Sequence, residues 1–356
     1  MMTKYENFRA VVEHRRPEWT PFNMHFTPDL EKRVIEHIGT NDIAGHYGLD
    51  QLAWVSWKAP EGFCWPDHRK YWEGFAMPPG ACINGLGVVE VPGGVHHFTR
   101  YISPLRNATS FREIEDYAVA DATGFDWTGQ AEVVAQTHAQ GKATTIFVGH
   151  MYENAWQARG YEQFLLDTVE RPDWAECLLD KFFRNNLHTA TAAARAGVDY
   201  IYCGDDVANQ NALMFSKDTW RRLILSRWAQ VWRAVKQVNP RSVIAYHTDG
   251  NCMDIVEEMV DAGLDFLNPV QPECMDTDAL KARLGKRLGM DGCIGTQSTM
   301  PFGTVDDVRC RVQECISKYG QSGGLMLAPT HVLEPEVPLA NIDAFARACR
   351  EFGRLG

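Results

Sequence analysis

The chain has 356 residues, of which 45% are hydrophobic, and its formal net charge is −11. The hydrophobic fraction is typical of a globular protein and excludes an intrinsically disordered chain. The negative charge opposes binding to a nucleic-acid backbone, and the apolar runs are far shorter than a membrane span, so we expect neither partner. The length is normal for a (β/α)8 barrel with insertions, and we predict one such domain over residues 1–356.

The N-terminal residues contain no apolar region of the kind that a secretory signal requires. The ten cysteines are scattered along the chain and form no CxxC pair. In a long chain without a secretory signal, such cysteines are reduced thiols that mostly lie in the core. We therefore predict a cytoplasmic protein.

The first third of the chain predicts two helices, one strand and an inserted β-rich segment. Apolar spacing and stop signals indicate helices over 3–16 and 29–38, with a first strand over 20–26 between them. Residues 51–103 carry several tryptophans among proline and glycine, and their alternation is typical of β-hairpins. We interpret this stretch as an insertion that caps a barrel mouth. An equally weighted alternative is a surface excursion with its own small aromatic core.

After residue 104, predicted strands and helices alternate regularly. Together with the strand over 20–26 and one strand near 97–102 or elsewhere in the insertion, the later strands bring the number to about eight. Their alternation with helices predicts a parallel (β/α)8 TIM barrel. The later strands are predicted within 144–150, 198–206, 243–251, 264–272, 288–295 and 324–329, and the helices over 129–140, 161–169, 173–196, 217–238, 276–284, 304–319 and 340–353.

Polar residues follow most of these strands, and the carboxyl ends of barrel strands share one face. His247 and Asp249 end one strand and are two positions apart, so their side chains point the same way. Asp205 and Asp206 end the preceding strand. These clusters predict a common pocket. Its other predicted members are Met24, His25, Glu153, Asn268, Gln271, Gln297 and His331.

The residue types in this pocket suit two kinds of chemistry. His247, Asp249 and His331 could ligate a metal ion, or they could act as acids and bases. Asp206 would orient one of them, although carboxylates at this position also cap helices. The sequence contains no GxxxxGK[ST] loop, no GxSxG elbow and no GxGxxG after a strand, which argues against a phosphate cradle or a serine nucleophile.

Several motifs, in this order and spacing, resemble the uroporphyrinogen decarboxylase superfamily from about residue 5 to the end of the chain. The resemblance implies a (β/α)8 barrel and a homodimer. It also implies one of two chemistries: decarboxylation of uroporphyrinogen acetate arms without a cofactor, or methyl transfer to or from a corrinoid, commonly with zinc. The motifs are EHRRPEWTP at 13–21, ENAW and RGYE within 153–162, GDD at 204–206 with Gln210, HTDGN at 247–251, LNPVQP at 267–272 and PTH at 329–331.

Two departures from the family patterns favour methyl transfer of an unusual kind. The decarboxylases carry an arginine-rich segment that grips substrate carboxylates, whereas residues 23–28 contain no arginine. The thiol methyltransferases use His-x-Cys and a second cysteine after the last strand. Asp249 and, nearby, His331 stand in those places. The comparison implies a His/Asp/His set of His247, Asp249 and His331 that holds zinc, or acid–base chemistry without a metal.

We therefore expect a methyltransferase that moves a methyl group from a small O- or N-methylated compound to a corrinoid (cobalamin) carrier on a partner protein. His247, Asp249 and His331 would activate the leaving atom. A carboxy-lyase similar to uroporphyrinogen decarboxylase is the first alternative, and a non-catalytic ligand-binding protein on the same scaffold is the second.

Overall fold

The described part of the chain, residues 1–93 and 99–355 of a computed structural model, contains a large parallel sheet and a small antiparallel sheet. The strands are β1 (Ala53–Trp54), β2 (Cys82–Ile83), β3 (Val89–Val91), β4 (Arg100–Ile102), β5 (Thr144–Phe147), β6 (Tyr200–Gly204), β7 (Val243–His247), β8 (Phe266–Val270), β9 (Gly289–Ile294) and β10 (Leu325–Pro329). The large sheet has the order β1-β5-β6-β7-β8-β9-β10, and the small one has the order β2-β3-β4.

The segment predicted as the first strand closes the large sheet into a barrel. Phe22 forms a parallel bridge with Leu327 of β10, and the Asn23 N–H donates to the Leu327 carbonyl at 3.0 Å. On the other side, the Asp50 N–H donates to the Phe22 carbonyl at 2.9 Å. Residues 20–26 therefore occupy the eighth strand position, although they pair only through isolated bridges. The predicted (β/α)8 barrel is confirmed.

The strand β7 shows how the sequence directs side chains to the two sides of the barrel wall. Ile244 and Tyr246 pack in the core beneath the surrounding helices, where Tyr246 contacts aromatic rings. Val243 and Ala245 pack on the inner side. Successive side chains of a strand point to opposite faces, so the same alternation turns His247 toward the barrel interior at the carboxyl end of the strand.

The helices surround the barrel and agree with the predicted positions to within a few residues. Among the described residues, no helix is long and apolar enough to cross a membrane. The α-helices cover Lys4–Val12, Pro28–Ile38, Ile43–Tyr47, Phe111–Glu115, Gln130–Ala139, Tyr152–Arg159, Tyr161–Glu170, Pro172–Ala196, Lys217–Trp220, Ser226–Val238, Val256–Ala262, Thr277–Leu284, Thr299–Phe302, Val305–Cys315 and Leu339–Phe352. Two π-helical turns, Arg221–Leu225 and Ile316–Gly320, continue the adjacent helices.

The predicted β-rich insertion is present as the small sheet and the loops around it. The strand predicted near 97–102 is β4, which pairs antiparallel with β3 instead of joining the barrel, and residues 97 and 98 of that prediction lie outside the described residues. The strand that this stretch does give to the barrel is β1, which pairs with β5. The role of the stretch as a cap over the barrel mouth stays a prediction, as does the single-domain organisation.

Candidate active site

Asp206, His247 and Asp249 meet at the carboxyl end of the barrel and are called the mouth cluster below. β6 and β7 lie in parallel register with Gly204 opposite His247, which brings the residues after both strands together. The Nε2 atom of His247 lies 3.7 Å from Asp206 Oδ1 and 4.0 Å from Asp249 Oδ1. Asp249 Oδ1 is buried and has no hydrogen-bond partner. One ligand atom from each residue lies within 4.8 Å of the other two.

Neighbouring polar groups fix the orientation of the His247 ring. The Tyr202 hydroxyl donates to Asn268 Oδ1 at 2.6 Å, and Nδ1 of His247 lies 2.8 Å from the same oxygen. A proton on Nδ1 therefore donates to Asn268, which leaves the Nε2 lone pair facing the carboxylates of Asp206 and Asp249. Two carboxylates and a lone pair repel one another unless a proton or a cation lies between them.

Glycines allow the close backbone approach that this arrangement needs. A Cβ atom on Gly204 would lie 2.6 Å from both Cβ and the carbonyl oxygen of His247. Gly250 has a φ of 87°, and a Cβ there would lie 2.5 Å from the Asn209 carbonyl oxygen. The Gly250 N–H donates to Gln271 Oε1 at 2.9 Å. Gln271 thus supports the turn after His247.

A second group of ionisable residues, His150, Glu153 and Asp205, lies behind the mouth cluster. Glu153 Oε1 accepts the Asp206 N–H at 3.0 Å and lies 2.8 Å from His150 Nδ1. Asp205 Oδ1 accepts the Glu153 N–H at 3.1 Å, and its Oδ2 accepts the Trp228 indole N–H at 2.8 Å. These bonds occupy both carboxylate oxygens of Asp205 and Oε1 of Glu153. This second group therefore positions Asp206 and is a poor metal site.

The charges in this second group depend on one another. Burial raises the pKa of Asp205 to about 7. Burial alone would lower the pKa of His150, but the hydrogen bond and charge of Glu153 raise it to about 9. Burial also opposes ionisation of Glu153, yet the bond and charge of His150 lower its pKa overall. His150 and Glu153 therefore form an ion pair at neutral pH.

His247 of the mouth cluster lines a cavity of about 520 Å³ inside the barrel, whereas Asp206 and Asp249 lie outside its lining. Its inner wall includes Tyr200 and Asp291, and the Tyr200 hydroxyl donates to the Asp291 carboxylate at 3.4 Å. Burial raises the pKa of Asp291 to about 6. Within residues 1–93 and 99–355, no lysine or arginine lines this cavity. The cavity wall is therefore mainly apolar, and among the described residues its charged side chains include carboxylates but neither lysine nor arginine.

The structure separates the predicted site residues into a cavity group and a supporting group. Asp206 and Asp249 join His247 in the mouth cluster. Asp205, Glu153 and Gln271 support the backbone, and Gln297 is exposed, with its N–H donating to Glu273 Oε1 at 3.1 Å. The predicted residues that line the cavity are Met24, His25, His247, Asn268 and His331.

The sequence reasoning missed Tyr200, Tyr202 and Asp291. Each lies within a strand and not after one, so a search for polar residues at strand ends passes over it. The sequence of β9 nevertheless contained a signal, because the carboxylate of Asp291 directly follows the buried Met290 within the strand. A charged residue in the middle of a buried strand needs a polar environment, which a barrel interior with a cavity provides.

A divalent metal ion fits the donor set of the mouth cluster. One imidazole and two carboxylates are usual ligands of Zn²⁺, whose metal–ligand bonds of about 2.0–2.2 Å place tetrahedral ligands roughly 3.4 Å apart. The separations of 3.7 and 4.0 Å in the cluster need only a small contraction to reach this. The unpartnered Asp249 Oδ1 and the free Nε2 lone pair are the atoms such an ion would bind. His331 lies outside this three-residue cluster but lines the same cavity.

Comparisons with solved structures show similarity to barrel proteins. A methyltransferase from Methanosarcina mazei aligns over 99% of both chains, with 20% sequence identity and a TM-score of 0.67, a likeness that shows the fold alone. Xylanase A of P. fluorescens subsp. cellulosa has 12% identity and a TM-score of 0.41, covering 65% of this chain and 84% of its own. No curated protein sequence matches the chain significantly.

The sequence profile of the uroporphyrinogen decarboxylase family matches residues 103–352. The matched region runs from the end of the small sheet to the last helix and contains β5–β10 with both groups of ionisable residues. The resemblance inferred from the motifs is thereby confirmed, and the chain belongs to the uroporphyrinogen decarboxylase family.

Proposed function

We propose that this protein is a methyltransferase that moves a methyl group from a small O- or N-methylated compound to a corrinoid (cobalamin) carrier on a partner protein. The observation that carries the proposal is the mouth cluster, which combines a histidine lone pair with two carboxylates at the edge of a cavity that His247 lines. A protein of the same fold over its whole length is a methyltransferase.

The mouth cluster supplies the activation that such a reaction needs. The methyl carbon of an ether or amine is a poor electrophile until its leaving atom is protonated or coordinated. A divalent ion held by Asp206, His247 and Asp249 would act there as a Lewis acid. Without a metal, the same side chains would hold a proton between Nε2 of His247 and a carboxylate and pass it to the leaving atom. We assign His331, in the wall of the same cavity, a supporting role as a further ligand or proton donor.

The position of the cluster also suits the acceptor. A corrinoid, when bound, supplies a nucleophilic cobalt that takes the methyl group, and it is far too large for a cavity of about 520 Å³. The reacting methyl group must therefore lie at the barrel mouth, where the loops after β6 and β7 place the activating side chains. The rest of the donor would lie below, in the cavity.

Carboxy-lyase activity is the second candidate, because the family of the chain includes uroporphyrinogen decarboxylase. A substrate with several carboxylates needs cationic side chains to hold them, and arginine is the usual choice. In the part of the chain that the structure describes, lysine and arginine are absent from the cavity wall. This absence favours methyl transfer over decarboxylation. Formation of coproporphyrinogen from uroporphyrinogen by the purified protein would reverse that preference.

The proposal is tested with purified protein, reduced cobalamin and a panel of methoxy compounds and methylated amines. We expect methylcobalamin to form, as followed by its absorption spectrum, with at least one donor. The rate should fall at least about a hundredfold in His247→Ala, since an activating group is lost. The matched control is His46→Ala, an exposed histidine of the helix Ile43–Tyr47, which should retain the wild-type rate. Absence of transfer from every donor would refute the proposal.

A further inference from the structure

Asp291 places a carboxyl group in the cavity wall, where the described residues contribute neither a lysine nor an arginine. The cavity wall has a second carboxylate deeper than the mouth cluster, Asp50, but its Oδ1 lies 3.6 Å from Lys4 Nζ. Asp291 has polar contacts with the Tyr200 hydroxyl and the Asn268 side chain, both uncharged. Over the described ranges, neither a lysine nor an arginine forms an ion pair with it.

An isolated carboxylate in this position is costly unless a ligand compensates it. Asp291 lies in the interior of β9, enclosed by the barrel and open only to the cavity. Removing an ionised carboxylate from water costs several kcal/mol when no positive charge is nearby. A divalent ion in the mouth cluster would be balanced by the carboxylates of Asp206 and Asp249. Such an ion would therefore leave the charge of Asp291 uncompensated.

Aromatic rings surround the same space. Tyr200 and Tyr202 line the cavity, and Trp54 lines it nearer the surface. The face of an aromatic ring carries negative potential and attracts organic cations, and cages of such rings are a common way to bind quaternary ammonium groups. Rings beside an unbalanced carboxylate disfavour an anionic ligand and favour a cationic one. A cavity of about 520 Å³ admits a small compound of this kind.

We propose that the inner cavity binds an organic ammonium group, quaternary or protonated, and that Asp291 with the rings of Tyr200 and Tyr202 determines this specificity. The inference rests on the proposed function and narrows its methyl donor to a compound that carries a cationic nitrogen in addition to the O- or N-methyl group that the mouth cluster activates. The ammonium group lies against Asp291, and the methyl group to be transferred lies toward the mouth cluster.

The test compares two probes of nearly equal shape, choline and its neutral isostere 3,3-dimethylbutan-1-ol, by isothermal titration calorimetry on the full-length protein. We expect the wild type to bind choline at least about tenfold more tightly than the neutral compound. Asp291→Asn should weaken choline binding at least about tenfold and leave the neutral compound unaffected. Asp29→Asn, an exposed carboxylate on the helix Pro28–Ile38, should change neither affinity.

Equal affinity of the wild type for both probes would overturn the inference, and this comparison requires no variant. Retention of choline preference in Asp291→Asn would overturn the assignment to Asp291. Calorimetry needs no corrinoid, so its result is independent of the proposed activity. Choline-selective binding with no methyl transfer from any donor would refute the proposed function and leave the charge recognition intact. Transfer from neutral methoxy donors without choline binding would support the proposed function and refute the charge recognition by Asp291.

Discussion

The backbone N–H of Asp249 donates to Asp206 Oδ1 at 2.8 Å, and the same oxygen lies 3.7 Å from Nε2 of His247. One carboxylate oxygen therefore joins the loop after β6 to the loop after β7 and also faces the imidazole. As a hydrogen-bond acceptor, Asp206 holds the loop that contains Asp249, whereas its negative charge acts on the imidazole of His247. A substitution that removes only the charge separates the two.

Asp206→Asn is expected to abolish metal binding while leaving the fold intact. Asparagine keeps an oxygen that accepts the Asp249 N–H but removes the negative charge that a divalent ion needs. Elemental mass spectrometry should find about one divalent ion per wild-type chain and far less in Asp206→Asn, with a similar thermal unfolding midpoint. Asp29→Asn should keep the wild-type metal content. A fully loaded Asp206→Asn protein would show that the ion binds elsewhere.

Glu153→Gln is expected to lower activity by disturbing the position of Asp206 in the mouth cluster. Glu153 fixes the Asp206 backbone and carries the negative charge that pairs with His150. Removing that charge should lower the pKa of His150 from about 9, because burial then acts with less opposition. An NMR titration of the imidazole should show this decrease, and activity should fall by about tenfold to a hundredfold. The matched control is Glu162→Gln, since Glu162 is exposed on the helix Tyr161–Glu170. An unchanged His150 titration would contradict the pairing.

The sequence predicted the barrel because its signals are local. β7 is an apolar run that ends in His247, and helices such as Pro172–Ala196 start at proline and end at a left-handed glycine, Gly197. The parallel order of the strands then follows from their alternation with helices. Placing His247, Asp249 and Asp206 on one face also needed only strand periodicity and the common carboxyl edge.

Barrel closure and the contacts of Tyr202 depend on the register between segments that are far apart in the chain. The local pattern of one amino-acid sequence does not contain that register. Residues 20–26 close the barrel only through bridges to β10 and the region of Asp50, so their pattern as a strand is weak. β1 has two residues and no periodicity to detect. Tyr202 meets Asn268 and His247 because β6, β7 and β8 lie in parallel register, a relation fixed by packing.

Gly204→Ala is expected to destabilise the protein strongly. The added Cβ would lie 2.6 Å from the Cβ and the carbonyl oxygen of His247, and backbone in a central strand cannot move aside cheaply. We expect the free energy of unfolding, from chemical denaturation, to fall by about 1–3 kcal/mol or more. At Gly124 a Cβ would meet nothing within 4 Å, so Gly124→Ala should have little effect. Equal effects of the two substitutions would show that the contact at Gly204 is not limiting.

His14 is expected to make the stability of the wild type decrease as the pH falls from about 6.5 toward 4. Its Nδ1 is buried without a partner, and burial, reinforced by the charges of Lys281 and Lys286, lowers the pKa of His14 to about 4. Between these pH values the unfolded chain binds the proton and the folded chain does not, so acid favours unfolding. His14→Asn removes this titration, and asparagine tolerates the φ of 50° at this position. Chemical denaturation at about pH 7.5 and about pH 4.5 should therefore show a larger loss of unfolding free energy for the wild type than for His14→Asn. Between about pH 7 and 8, His14 is neutral in both the folded and the unfolded chain, so the wild type and His14→Asn should respond alike to pH there. Identical losses of unfolding free energy in acid would mean that His14 is already protonated in the folded protein.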